Sequence, residues 1–212
     1  MRTISFSNVH RQQHFDFFRQ MNHPHFNVTA PIDITNFVAF IKDKHLSFTP
    51  AIVYLLARTA NEIPQLRWRI RGESVVEHEL VHPSFSVPTK EADVFSFCTV
   101  PFSWDGPTFI KKTKAMMETM YESPSFSNEP GRDDYLFMSA FPWASFTSIQ
   151  HAMHYHPCDS VPRIVWGKYY EENGKIKMPV NIQAHHAIVD GRHLGLFFQK
   201  IETKMQDLTP FF

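Results

Sequence analysis

At 212 residues the chain suits one domain, large enough to bury a core without disulfide or metal staples. Lysine plus arginine equals aspartate plus glutamate at 21 each, which removes the broad electrostatic attraction that nucleic acid or an anionic membrane surface would exploit. No apolar run approaches the roughly 20 residues of a membrane helix, and Cys98 and Cys158, with no secretory leader ahead of Arg2-Thr3-Ile4, read as reduced thiols of a cytoplasmic protein.

His10 to Arg19 puts phenylalanine at helical spacing with polar residues between, a short amphipathic helix that Asn22-His23-Pro24 ends. Phe26 to Ala30 alternates like a strand. Asp33 or Thr35 can cap a helix through Phe37, Val38, Phe40 and Ile41. Thr49 as cap and Pro50 at the first helical position open a second, whose body from Ala51 to Ile63 is apolar on most sides and therefore buried against a sheet.

Arg67 to Ile70, Ser74 to His78, Ser84 to Pro88 and Phe95 to Val100 have strand alternation, with Arg71-Gly72 as a hairpin turn. Pro107 to Glu122 is helical, and its Met116, Met117 and Met120 sit at core spacing. Ser123 to Gly131 reads as a loop, then Tyr135 to Met138 and Trp143 to Thr147 as strands. His151, His154 and His156 lie close together, but without partners at familiar ligand spacing they read as a loop and not as a metal site. Arg163 to Tyr170 and Lys175 to Gln183 form two long strands joined by an Asn173-Gly174 turn. His193 to Met205 closes the chain as an amphipathic helix. Strands and helices in this order predict an α/β fold, a two-layer sandwich with helices packed on one face of a mixed β-sheet.

The second long strand runs into Gln183-Ala184-His185-His186-Ala187-Ile188-Val189-Asp190-Gly191. A histidine four residues before an Asp-Gly turn is suited to taking a proton from a hydroxyl and returning it. Neighbours on an extended strand point to opposite faces, so only one of His185 and His186 can face a substrate. The Asp-Gly spacing favours His186 and leaves His185 a structural role.

Four blocks together resemble the chloramphenicol acetyltransferase family, within the CoA-dependent acyltransferase superfamily, over nearly the whole length. They are His10-Arg11-Gln12-Gln13-His14-Phe15, Phe48-Thr49-Pro50 with Tyr54-Leu55 and Leu66-Arg67, Ser139-Ala140-Phe141-Pro142-Trp143, and His185 to Gly191. The resemblance implies a homotrimer with active sites at subunit interfaces and acetyl-CoA as co-substrate, without a metal. It implies His186 as general base, Ser139 as oxyanion donor, and Asp190 paired with Arg11 to support the turn. It places Phe17, Phe18, Phe95, Phe126, Trp143 and His151 at the acceptor alcohol, and Lys168 at the nucleotide end of the coenzyme.

Where the family has a threonine near the oxyanion this chain has Val165, and Phe18 and His151 stand where a tyrosine and a leucine are usual. The chemistry therefore carries over more securely than chloramphenicol itself. Dihydrolipoyl acyltransferases and condensation domains share the histidine signature. The first normally carries a lipoyl domain upstream and the second is about twice this length, so a free-standing acetyltransferase is expected. Its alternatives are an acetyltransferase for another xenobiotic or metabolite alcohol, or a non-catalytic trimeric binding protein of the same fold.

Overall fold

A computed structural model describes residues 1–90, 93–126 and 129–212. Ser127 and Asn128, within the loop read from Ser123 to Gly131, lie outside the described residues. In chain order the elements are β1 (Arg2–Ile4), α1 (Val9–Arg19), β2 (His25–Asp33), α2 (Thr35–Asp43), α3 (Phe48–Asn61), β3 (Trp68–Arg71), β4 (Ser74–Glu77), β5 (His82–Val87) and β6 (Ser96–Thr99). There follow α4 (Gly106–Glu122), β7 (Tyr135–Phe141), β8 (Arg163–Gly167), β9 (Tyr170–Glu172), β10 (Lys175–His185) and α5 (Gly191–Gln206).

The main sheet runs β2-β10-β8-β7-β5-β6, with β9 also on β10. It is mixed, because β7 pairs in parallel with both β5 and β8 while β10 is antiparallel to β2, β8 and β9. Strand periodicity divides it into two unlike faces. Met178, Val180, Ile182 and Ala184 of β10, Ile164 and Trp166 of β8, and Leu136 and Met138 of β7 join the core beneath the helices. The intervening Asn181, Gln183, His185, Arg163 and Ser84 are just as deeply buried but polar. That second face carries the site.

α3 is the centre of the helical layer, with eleven of its residues buried, as its apolar body predicts. Its start differs from the expectation. Ser47 takes the cap position and Thr49 lies inside the first turn, so Pro50 sits beyond the first helical residue. α4 is capped by Asp105, whose carboxylate accepts from Thr108 N at 2.7 Å. Asn173 and Gly174 both take positive φ, 51° and 73°, the geometry of a tight two-residue hairpin. Among the described residues no helix is long and apolar enough to cross a membrane.

Two strand expectations need correction. Trp143 to Thr147 is turn and irregular chain, because β7 continues through Ser139 to Phe141 and Pro142 then ends it. Arg163 to Tyr170 is interrupted at Lys168 and Tyr169, so that β8 and β9 lie against successive stretches of β10. A three-stranded sheet, β1-β4-β3, was not foreseen.

Arg69 fastens that small sheet to the large one. It is 0% exposed and donates to the carbonyls of Asp133, Leu66, Trp68 and Tyr135 at 2.6 to 3.1 Å. Burial lowers its pKa to about 10, opposed by the nearby Asp133, Asp159 and Asp134, and it stays cationic at neutral pH. Arg69→Met removes every one of these donors and leaves buried carbonyls without partners. We expect a loss of about 3–5 kcal/mol, measured by urea denaturation, with no change in strand content of the residual folded fraction.

Candidate active site

The turn after β10 is held by backbone bonds from Ile188 N and Val189 N to His185 O, and by His186 N donating to Pro24 O at 2.8 Å. His186 Nδ1 lies 3.1 Å from the Val189 carbonyl. A carbonyl can only accept, so Nδ1 carries the proton and Nε2 keeps its lone pair. The ring is stacked on Phe18 at 4.1 Å and packed on Phe26 at 4.4 Å, with His14 edge-on at 5.3 Å. Phe17 contacts Phe18 edge-on and is 62% exposed.

Arg11 reaches this turn, but not through the expected ion pair. Its Nη1 donates to Ala187 O at 2.8 Å and to His14 Nδ1 at 2.8 Å, and no Arg11–Asp190 contact within 4.0 Å is present among the described residues. Asp190 is instead turned toward the helix it caps. It accepts from Arg192 N at 3.1 Å, and its own N–H donates to His193 Nδ1 at 2.8 Å. The Arg192 bond holds the Asp190 carboxyl below its ordinary range, and Asp190 acts on Arg11 through charge alone. Because arginine has no acceptor, His14 Nδ1 must be the lone-pair nitrogen, and its Nε2–H faces Asp190 at 4.0 Å.

His14, His186 and Asp190 each offer one atom within 4.8 Å of the others, a spacing that could hold a metal. The assigned tautomer opposes that use. His14 would have to surrender the proton on Nε2 and give up its bond from Arg11. The cluster fits proton handling better than ligation.

Ser139 lies elsewhere, on β7. Its hydroxyl is 2.9 Å from that of Ser86 on β5. The pair marks the junction of two cavities. One, of about 360 Å³, is lined by Ser139, Ser86, Phe95, Phe137, His151 and Arg163. The other, of about 260 Å³, shares Ser86 and is lined by Phe48, Trp166, Lys168 and Tyr169. Phe126 packs on Phe95 and Phe97 at 5.4 Å.

The expected acceptor residues thus fall into separate groups, Phe17 and Phe18 at His186, and Phe95, Phe126 and His151 beside Ser139. Trp143 stands edge-on to Phe141 at 5.6 Å and is 76% exposed. Val165 pairs across from Ser139 and brings no hydroxyl there. Phe97, Phe137, Ser84, Ser86 and Arg163 were not foreseen, although two of them lie two residues from an expected one and hence on the same strand face.

Within one chain Ser139 and His186 do not meet. Ser139 pairs with Val165, which pairs with Asn181, five residues before His186. Two strand spacings of about 4.8 Å and five residues of about 3.3 Å set them on the order of 15–20 Å apart.

The family model for chloramphenicol acetyltransferase matches residues 1–202. The chain belongs to the chloramphenicol acetyltransferase family. It is 32% identical to a chloramphenicol acetyltransferase of Bacillus pumilus over 193 residues, covering 91% of this chain and 88% of that protein. It is 30% identical to chloramphenicol acetyltransferase 3 of Escherichia coli, covering 91% of each. A solved chloramphenicol acetyltransferase superposes with a TM-score of 0.85 at 26% identity, over 96% of this chain and 99% of the other. The dihydrolipoamide acetyltransferase of Azotobacter vinelandii, at 15% identity and a TM-score of 0.68, shares the fold.

His185 is buried and engaged by its own turn. Its Nδ1 accepts from Ala187 N at 3.2 Å, and its ring stands edge-on to His25 at 5.0 Å. Burial pushes the pKa of His25 down to about 4 and that of His185 to about 3, from 6.5. Both are neutral when folded and take up protons more readily when unfolded. Their contribution is complete above about pH 6.5 and is lost as pH falls through 4 toward 3. Melting temperature should fall steeply over that interval, and His185→Gln should flatten the slope in a calorimetric pH series.

Proposed function

We propose that the chain is an acetyl-CoA-dependent O-acetyltransferase, a single catalytic domain over residues 1–212 that acetylates a hydroxyl of a small acceptor, chloramphenicol by default. The observation that carries this reading is the tautomer of His186, whose protonated Nδ1 is committed to Val189 O. A basic Nε2 is what removal of a hydroxyl proton requires.

His186 takes the acceptor's proton as the hydroxyl oxygen attacks the thioester carbonyl. The new C–O bond forms, and the carbonyl electron pair moves onto oxygen. Ser139 donates to that oxyanion, an interaction stronger in the transition state than in the ground state. As the pair returns, the C–S bond breaks, and the imidazolium gives its proton to the departing thiolate. No acyl-enzyme forms. Arg11 and Asp190 support the turn without touching substrate.

Lys168, in the cavity that meets the acceptor cavity at Ser86, supplies a cation for a phosphate of the coenzyme. Phe17, Phe18 and Trp143 complete the acceptor pocket from a neighbouring subunit. The separation of Ser139 from His186 supports a homotrimer in which each site takes its base from one chain and its oxyanion donor from another. With thiols at Cys98 and Cys158, burial pushing the first up to about 12, the protein suits the cytoplasm. The departures from the family pattern, namely His151, Phe18 and Val165, favour as a second reading an acetyltransferase for another alcohol.

His186→Ala should abolish release of coenzyme A thiol from acetyl-CoA plus chloramphenicol. Ser139→Ala should lower kcat by roughly 10²–10³ with little change in melting temperature. Mixing the two inactive variants should restore activity in re-formed trimers, since some interfaces then carry both intact residues. Binding of acetyl-CoA without turnover on any alcohol would replace the enzyme reading by that of a non-catalytic binding protein.

A further inference from the structure

A separate cavity of about 370 Å³ lies in the helical layer, between the end of α2, the first turns of α4 and the C-terminal residue. It shares no lining residue with the cavities of Ser139 and Lys168. Its walls are Phe40, Leu46, Pro107, Ile110 and Phe212. These walls are held in place. Phe40 packs on Phe212 at 5.5 Å, Leu46 N donates to Ile41 O at 2.8 Å, and Ile110 is rooted in the core at 5% exposure. The groove is therefore already formed before anything enters it.

The polar side chains on this lining are three lysines, Lys44, Lys111 and Lys114, and no aspartate or glutamate joins them among the described residues. Lys111 and Lys114 stand three residues apart on one face of α4, and neither has an ion-pair partner among the described residues. Lys44 reaches in from the end of α2. Its contact with Asp43 at 2.9 Å joins two largely exposed groups and holds it weakly. Lysine stems add to the apolar wall while their ammonium groups stay in water at its rim. Greasy walls under a wholly cationic rim select a ligand by charge complementarity. A hydrophilic anion would leave the walls wet, and a neutral hydrocarbon would ignore the rim. One alkyl chain ending in one carboxylate satisfies both.

We propose that this groove binds a single fatty acid, with its carboxylate at Lys44, Lys111 and Lys114 and its chain along Phe40, Leu46, Ile110 and Phe212. The assignment does not depend on the acetyltransferase reading, because the groove lies in the helical layer and the proposed catalytic residues on the other side of the sheet.

The test titrates octanoate, decanoate and decan-1-ol, each below its aggregation threshold, into the full chain by calorimetry at low salt. One decanoate should bind per chain, with a Kd roughly tenfold below that of octanoate and roughly fivefold below that of decan-1-ol. The double variant Lys111→Gln with Lys114→Gln changes two surface groups and should keep the wild-type melting temperature. It should raise the Kd of decanoate about fivefold and leave that of decan-1-ol unchanged. Saturating acetyl-CoA or chloramphenicol should not displace the acid. Displacement by either would put decanoate in another cavity and overturn the assignment, as would equal affinities for acid and alcohol or an unchanged Kd in the variant. Binding to phosphatidylglycerol vesicles without uptake of free decanoate would make this face a membrane contact instead, and the fatty acid site would fall.

Discussion

The pairing of β10 with β2 is the constraint on which the rest depends. It runs without a break from Lys177 opposite Asp33 to His185 opposite His25. Because side chains alternate, a slip of one residue would turn Met178, Val180, Ile182 and Ala184 away from the helices and Asn181, Gln183 and His185 into them. The Asn181 amide, bonded to Asn27 and Thr29 across the ladder, makes such a slip costlier still. A hydrophobic face and a polar network enforce one register. That register fixes where the turn bearing His186 begins.

From that point the chain has little freedom. Bonds from Ile188 and Val189 back to His185, and from His186 to Pro24, tie the turn to both strands. Arg11 binds its outer side through Ala187 O, and Asp190 converts its end into the start of α5. His186 is thereby oriented by groups that are themselves held, between Phe18 and Phe26. As the proposed base, a histidine so placed needs no reorganisation at the moment of proton transfer.

Local signals were read well and non-local ones poorly. The Asn173-Gly174 hairpin, the buried helix after Pro50 and the methionine-bearing helix were legible because their causes lie within a few residues. The turn bearing His186 was legible because it is encoded by adjacent residues. Trp143 to Thr147 was misread because its alternation resembles a strand, while Pro142 removes the backbone donor that a ladder would need. Ser86, Phe137 and Arg163 share a cavity only because β5, β7 and β8 pair in one register, and no sequence window contains that information. The Arg11–Asp190 pair was expected from the family resemblance. In the folded chain, capping α5 engages the aspartate first.

The division of the site follows from the same economy of structure. Ser139 sits on β7, a strand flanked by two parallel partners, and shares its hydroxyl contact with Ser86 at the meeting point of two cavities. His186 sits at the end of a different strand, set by a different network. Each is precise within its own surroundings, but neither network extends to the other. In the proposed trimer the precision of the catalytic pair is therefore a property of the subunit interface, and the exposed rings of Phe17 and Trp143 gain the burial they lack in a single chain. Assembly and catalysis then draw on the same contacts, so a change that loosens the interface by about 1 Å would cost activity before it cost the fold.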